Sequence, residues 1–266
     1  MTIASGPRPA ATGHRSWPWC RQCTGIALDL GSARTRAWTS GRRTILDVPT
    51  ATVPGDRATY PVQRGTIVDT PAAARMLDRL LGHRLPRHGR PLLILTTPAL
   101  GGIVYRAEAH AAVEVLHPRT VLTVPAARAV ALTAGADLTR PLLVVDIGAH
   151  LTEVTLLTDG ALTDARHTAL GTSDLGSHTR PAQLTEAVVA MVTSMLDDDR
   201  TSQAHHALQR GVLLAGGGAL RADLTHPLAG RLHAPVRTVP GPHTAAVRGA
   251  AKLLQAAHAH PSAAAE

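Results

Sequence analysis

The stretch LLVVDIGAHLTEVTLL, residues 142–157, reads as two β-strands joined by a tight turn, with an aspartate closing the first strand. Asp146, Ile147 and Gly148 interrupt a buried apolar run, and strand alternation resumes at once. An earlier stretch, GIALDLGSARTRAW at residues 25–38, does the same with Asp29, Leu30 and Gly31. Aligning Asp29 on Asp146 places Gly31 on Gly148 and Thr35 on Thr152.

The elements around the two turns recur in the same order. After the first hairpin, a third strand is expected over 42–48, a broken segment over 49–60, and a helix capped by Thr70 with Pro71 in its first turn and Gly82 at its stop. Apolar runs predict strands from Pro91 and over 120–124, with helices over 103–116 and from Pro125. The second half predicts strands over 142–147, 151–157 and 161–166, the last two joined by an Asp159-Gly160 turn. Helices over 182–196 and 201–209 lead to a strand over 211–215. Gly216, Gly217 and Gly218 are expected to open a helix through Leu228, before a strand over 235–239 and a closing helix over 244–257. The chain is therefore read as a tandem duplication of one α/β unit, with the halves facing a cleft into which both turns point. The domain reading is a disordered leader at 1–23, a first subdomain at 24–139, a second at 140–257 and a tail at 258–266.

With 266 residues there is room for a substantial core. No apolar run approaches the ~18 residues of a membrane span, and the N-terminus lacks a secretory signal, so the expected location is cytoplasmic. The formal charge is +8, and Lys252 is the only lysine among 27 basic side chains. Scattered arginines, with abundant Ala, Gly and Pro and no Phe, fit G+C-rich coding better than a nucleic-acid footprint, so no nucleic-acid partner is expected. Cys20 and Cys23 form a lone CxxC in a Pro-rich leader, ahead of the first strand and without a second pair, which is weak support for a redox or zinc role. Trp17 and Trp19 beside Arg15 and Arg21 leave contact with a membrane surface open.

A glycine hairpin offers backbone N–H groups to phosphate oxygens with no side chain in the way. An adjacent aspartate suits a divalent cation held through water. Two such turns, followed by the AGGGAL run at 215–220, suit a nucleotide gripped from both sides, while GxxxxGK[ST] is missing.

These residues resemble the actin, heat-shock chaperone and sugar-kinase superfamily, and within it the MreB family of bacterial actin homologues. The first phosphate motif is matched at Asp29 to Thr35. The segment Pro61, Gly65, Ile67 and Asp69 is similar to the family's P-x-x-x-G-x-I-x-D, and VVDIGAHLTEV to its second phosphate motif. The run RGVLLAGGGALRADL, continued through Pro242, Thr244, Arg248, Gly249 and Lys252, resembles the adenosine motif and closing helix, and is the most specific match.

The resemblance implies two tandem ribonuclease H-like subdomains of the actin-like ATPase fold. It also implies that the outer subdomains are missing or reduced to 49–60 and 170–180. It assigns ATP phosphates to Asp29, Gly31, Ser32, Ala33 and Arg34 on one side and to Gly148, Ala149 and His150 on the other. Mg2+ falls to Asp29 and Asp146, and adenosine to Gly216, Gly217, Gly218, Ala219 and Leu220. It implies a cytoskeletal protein at the inner face of the membrane, self-associating or forming filaments and working with cell-shape or wall-synthesis proteins. The sequence departs from the family at three points. Val124 stands where a water-positioning Glu is expected, so no catalytic residue is assigned and hydrolysis is expected to be weak or absent. His150 crowds the second turn, and no outer-subdomain Lys and Glu close over the base. The alternative is a degenerate scaffold that binds protein partners without ATP turnover. A two-metal nuclease would need its acids clustered in one half, and a sugar kinase an acid for which the sequence offers no candidate.

Overall fold

The structure is a computed structural model that describes residues 24–52, 58–85, 90–176 and 179–259. The expectations for the leader, its cysteines and tryptophans, and most of the tail lie outside the described residues.

Two five-stranded sheets have the same strand order. The first comprises β1 (Gly25–Leu30), β2 (Arg34–Thr39), β3 (Ile45–Pro49), β6 (Leu92–Thr97) and β7 (Thr120–Pro125), in the order β3-β2-β1-β6-β7. The second comprises β8 (Leu142–Ile147), β9 (Thr152–Thr158), β10 (Ala161–Thr168), β11 (Val212–Ala215) and β12 (Val236–Thr238), in the order β10-β9-β8-β11-β12. In each sheet the hairpin strands run antiparallel and the last two join parallel to the central strand. The third strand of the first hairpin begins at Ile45 rather than at residue 42.

Between β3 and the first helix of the first unit lies a short hairpin that periodicity could not reveal, β4 (Val62–Gln63) and β5 (Thr66–Ile67). Its turn residues Arg64 and Gly65 both have positive φ, the backbone of a tight two-residue turn. Asp159 and Gly160 do the same between β9 and β10, as expected. Among its described residues, the segment expected to be broken carries one bridge, between Thr52 and Thr59.

Helices cover the sheets on both faces. On the first sheet, α1 (Thr70–Leu81) and α2 (Gly102–Val113) bury Leu77, Leu81, Ala109 and Val113 against Ile26, Leu28, Leu93 and Leu95. The cap of α1 is Asp69 rather than Thr70: its carboxylate accepts the Ala72 amide at 2.8 Å, while the Thr70 hydroxyl bonds Glu108. On the second sheet, α4 (Pro181–Asp198), α5 (Gln203–Arg210) and α6 (Ala222–Leu232) enclose Leu143, Val145, Ile147 and Leu214.

The two remaining helices are exchanged. The last helix of the first unit, α3 (Ala126–Thr133), buries Val130 and Ala131 against Leu142, Val144 and Leu213 of the second sheet. The last helix of the second unit, α7 (Ala245–Ala259), buries Val247, Ala250 and Leu254 against Ala27 and Ile94 of the first. The two helices cross at Gly249, where an added Cβ would lie 1.8 Å from the Ala129 carbonyl oxygen. The Thr133 hydroxyl bonds the Ala245 carbonyl at 2.7 Å, and the Lys252 ammonium bonds the Leu132 carbonyl at 2.9 Å.

Replacing Gly249 by Val should therefore cost at least about 1–3 kcal/mol by forcing the helices apart. Gly230→Ala, where an added Cβ meets nothing within 4 Å, should be neutral or stabilising by roughly 0.5–1 kcal/mol. Urea denaturation of the two variants measures both.

Candidate functional site

The two Asp-x-Gly turns have one geometry. The Gly31 amide donates to the Arg34 carbonyl at 3.1 Å, and the Gly148 amide to the Leu151 carbonyl at 2.9 Å. An added Cβ at either glycine would sit 2.8 Å from that same carbonyl oxygen, so each turn closes only around a glycine. The aligned threonines also work alike. Thr35 shares a hydrogen bond with Thr50, which reaches the Gly31 carbonyl, and the Thr152 hydroxyl bonds the Leu170 carbonyl, so each anchors its hairpin to the segment that follows.

Both turns open on one cavity of about 360 Å³ between the halves. Asp29, Gly31, Ser32, Ala33 and Arg34 line one wall, and Asp146, Gly148, Ala149 and His150 the other. Gly216 and Gly217 complete it, but Gly218, Ala219 and Leu220 do not line it. The expected helix does not start at the glycines either. Gly217–Leu220 forms one 3-10 turn, Arg221 is extended, and α6 begins at Ala222.

The reason is packing. A Cβ at Gly216 would lie 2.3 Å from both an Asp146 carboxylate oxygen and the Ile147 carbonyl, and one at Gly218 would lie 2.2 Å from the Ile147 side chain. The first and third glycines are thus consumed in seating the loop against β8. Ala219 joins the second core, and Leu220 is exposed. Gly217 meets nothing within 4 Å of its Cβ position, so its missing side chain leaves room in the cavity itself.

Sequence reasoning missed several residues of this cavity: Arg36, Gly65, Thr96, Tyr105, Glu153, Thr172, Ser173, Pro242 and His243. Strand register explains two of them. Arg36 lies opposite Asp29 on β2, and Glu153 opposite Asp146 on β9, so the duplicated position carries a cation in one half and an acid in the other. Arg36 reaches Asp29 at 3.9 Å and Asp47 at 3.2 Å, while Arg34 contacts Asp47 at 2.6 Å. Glu153, 8% exposed, crosses the floor of the cleft to accept the Ala99 amide at 2.8 Å.

Rim contacts also join the halves. Arg64 bonds the Ala169 carbonyl and pairs with Asp174 at 2.7 Å, and a Cβ at Gly65 would lie 2.6 Å from the Leu151 side chain. The tip of the β4–β5 hairpin thus rests on the second turn.

Burial pushes the Asp29 carboxyl above its ordinary value, against the pull of Arg36 and a 2.7 Å hydrogen bond from Thr96. Burial and then the charge of Asp29 push Asp146 up to about 7. Burial and then Asp146 push Glu153 up to about 7, against the Ala99 and Leu100 amides. Asp47 also feels burial, but Arg34 and Arg36 hold it below its ordinary value. Among the described residues, no three of His, Cys, Asp and Glu are grouped closely enough to hold a bare metal ion. Asp29 and Asp146 remain suited to a hydrated cation, which needs few direct ligands. Three polar atoms of the lining are buried without a partner among the described residues: Tyr105 Oη, His150 Nδ1 and His243 Nδ1. Orphaned groups around an open glycine cradle are what a polar ligand would satisfy.

The model of the MreB/Mbl protein family matches residues 52–180, a span that takes in the second turn but stops short of the C-terminal glycine run. The whole fold matches MreB5 of Spiroplasma citri bound to ADP, with a TM-score of 0.77 at 16% identity, over 89% of this chain and 97% of that one. The chain has an actin-like fold, and its middle part is similar to the MreB/Mbl family. A MamK double helical filament matches with a TM-score of 0.70 at 17% identity, over 86% of this chain and 98% of that one. The ethanolamine utilization protein EutJ from Carboxydothermus hydrogenoformans gives 0.61 at 18% identity, over 86% and 89%. No curated protein matches in sequence. The actin-like fold expected from the paired turns is thus present, and among the described residues no helix is long and apolar enough to cross a membrane.

Two predictions follow from the cavity walls. Gly216→Ala and Gly218→Ala should each destabilise by about 1–3 kcal/mol, whereas Gly217→Ala should leave the melting temperature unchanged. Asp146 and Glu153 have folded-state values raised above those of the unfolded chain. The folded protein therefore binds the extra protons, and the stability they contribute is full below pH ~4 and lost as pH rises through about 7. In the metal-free protein this loss should be on the order of 2–4 kcal/mol, and Asp146→Asn should flatten it. Urea midpoints measured across that pH range test the sign.

Proposed function

We propose that this MreB-like chain binds ATP with Mg2+ in the cleft, self-associates, and serves as a cytoskeletal protein in cell-shape or wall morphogenesis. The observation that carries the reading is the convergence of Gly31, Gly148 and Gly217 on one cavity. The turns at Gly31–Arg34 and Gly148–His150 would hold the phosphates through backbone amides. Asp29 and Asp146 would hold Mg2+ through its waters, and the cation would screen the triphosphate charge. Gly216 and Gly217 would face the adenosine. Support for the ligand comes from MreB5 of Spiroplasma citri, bound to ADP, and support for self-association from the MamK double helical filament. The place of action on this reading is the cytoplasm, at the inner face of the membrane.

Affinity should be modest. If about 100 Å² of base surface stays wet without outer subdomains, roughly 2.5 kcal/mol is lost, near a hundredfold in Kd. Hydrolysis is expected to be weak, since Val124 offers no hydrogen bond to water.

A second reading, an actin-like scaffold that binds protein partners without turnover, is favoured by one observation. Asp29 is already engaged by Arg36 and Thr96, so one of the two cation ligands is partly satisfied by the protein itself.

Calorimetry with Mg-ATP, alongside pelleting with and without nucleotide, separates the two. The first reading expects binding below millimolar ATP and nucleotide-dependent pelleting. Undetectable binding at millimolar ATP, or equal pelleting without nucleotide, selects the scaffold.

A further inference from the structure

We propose that Glu153 holds the attacking water when the cleft hydrolyses a bound nucleoside triphosphate, in place of any group at position 124. The inference rests on the nucleotide reading above.

Position 124 is out of reach of the cleft. Val124 ends β7 with its side chain in the cluster between the first sheet and α7, beside Ala27, Ala129 and Val247, and it does not line the cavity. Glu153 does line it. The residue follows the second turn directly, two positions beyond the Leu151 carbonyl that closes that turn, so it sits on the hairpin whose amides are assigned to phosphates. Its orientation is fixed from the opposite wall by the Ala99 amide at 2.8 Å. A buried, anchored carboxylate is a pre-set hydrogen-bond acceptor, which is what an attacking water needs.

Two neighbours fit the same step. Tyr105, 3% exposed, lines the cavity with a hydroxyl that has no partner among the described residues, so it has a donor to offer a second water or a phosphate oxygen. Arg36, at the register position corresponding to Glu153 in the other half, supplies positive charge on the facing hairpin.

In the step, the water oxygen bonds the terminal phosphorus on the side opposite the leaving group, as the bond from phosphorus to the bridging oxygen breaks. The electron pair of the broken bond stays with the nucleoside diphosphate. Both water protons leave on the inorganic phosphate. Glu153 orients the water and is not consumed.

Glu153→Gln separates orientation from anchoring, because a glutamine carbonyl can still accept the Ala99 amide, whereas Glu153→Ala loses both roles. The full chain with Mg-ATP is followed by single-turnover phosphate release, by ATP binding, by affinity for ADP with aluminium fluoride, and by thermal melting. E153Q should release phosphate roughly 10- to 100-fold more slowly and bind ADP–aluminium fluoride correspondingly worse. Its ATP affinity should stay within about threefold, and its melting temperature should not fall.

Wild-type rates in E153Q, with loss only in E153A, would reduce Glu153 to a structural latch and overturn the inference. So would a wild-type protein that binds ATP and releases no phosphate. A wild-type protein that binds no ATP removes the nucleotide reading as well, which distinguishes the two failures.

Discussion

The arrangement depends on one close contact, the crossing of α3 and α7 where Gly249 rides over the Ala129 carbonyl. A helix pair can approach this closely only if one partner has no Cβ at the crossing. Because each helix covers the sheet of the other unit, the crossing is the middle layer of a stack that continues into both cores. The two hairpin turns are thereby held at a fixed separation. Without that layer the glycines at 31 and 148 would be two unrelated turns on two small sheets; with it they face each other across a shared cavity.

Duplication built the site, and divergence then gave its walls different chemistry. The turns stay superimposable in hydrogen bonding because both are limited by the same carbonyl contact at 2.8 Å. One strand further on, the constraint relaxes and the halves part company. Arg36 neutralises part of the charge on the first aspartate, while Glu153 adds to that around the second. The result is a cleft with cationic character beside β2 and protonatable character beside β9. Its rim is closed by the β4–β5 hairpin and the short link after β10 rather than by outer subdomains.

Much of this was legible in the sequence, for reasons that can be located. Asp29 to Arg34 and Asp146 to His150 stood out because a turn that excludes Cβ leaves a glycine no alternative, and because it occurs twice. The strands around them were legible by their apolar runs. The glycine run was misread beyond Gly217: a triplet does not say which glycine is spent on packing, and only the approach of Ile147 reveals that Gly218 is. Arg36 and Glu153 were available in principle, since pairing across each hairpin sets them opposite the aspartates. Tyr105 and His243 carried no such signal, because they arrive from α2 and from the turn before α7. The helix exchange was equally hidden, as periodicity tells which face of a helix is apolar but not which sheet will cover it.

That exchange also sets an order of assembly. Residues 245–259 are synthesised long after the first sheet, yet they cover part of one of its faces. Until they appear, Ala27, Ile94 and Trp38 have no permanent cover. The nascent chain must therefore carry the first sheet without this cover until α7 has been made and has packed back onto it.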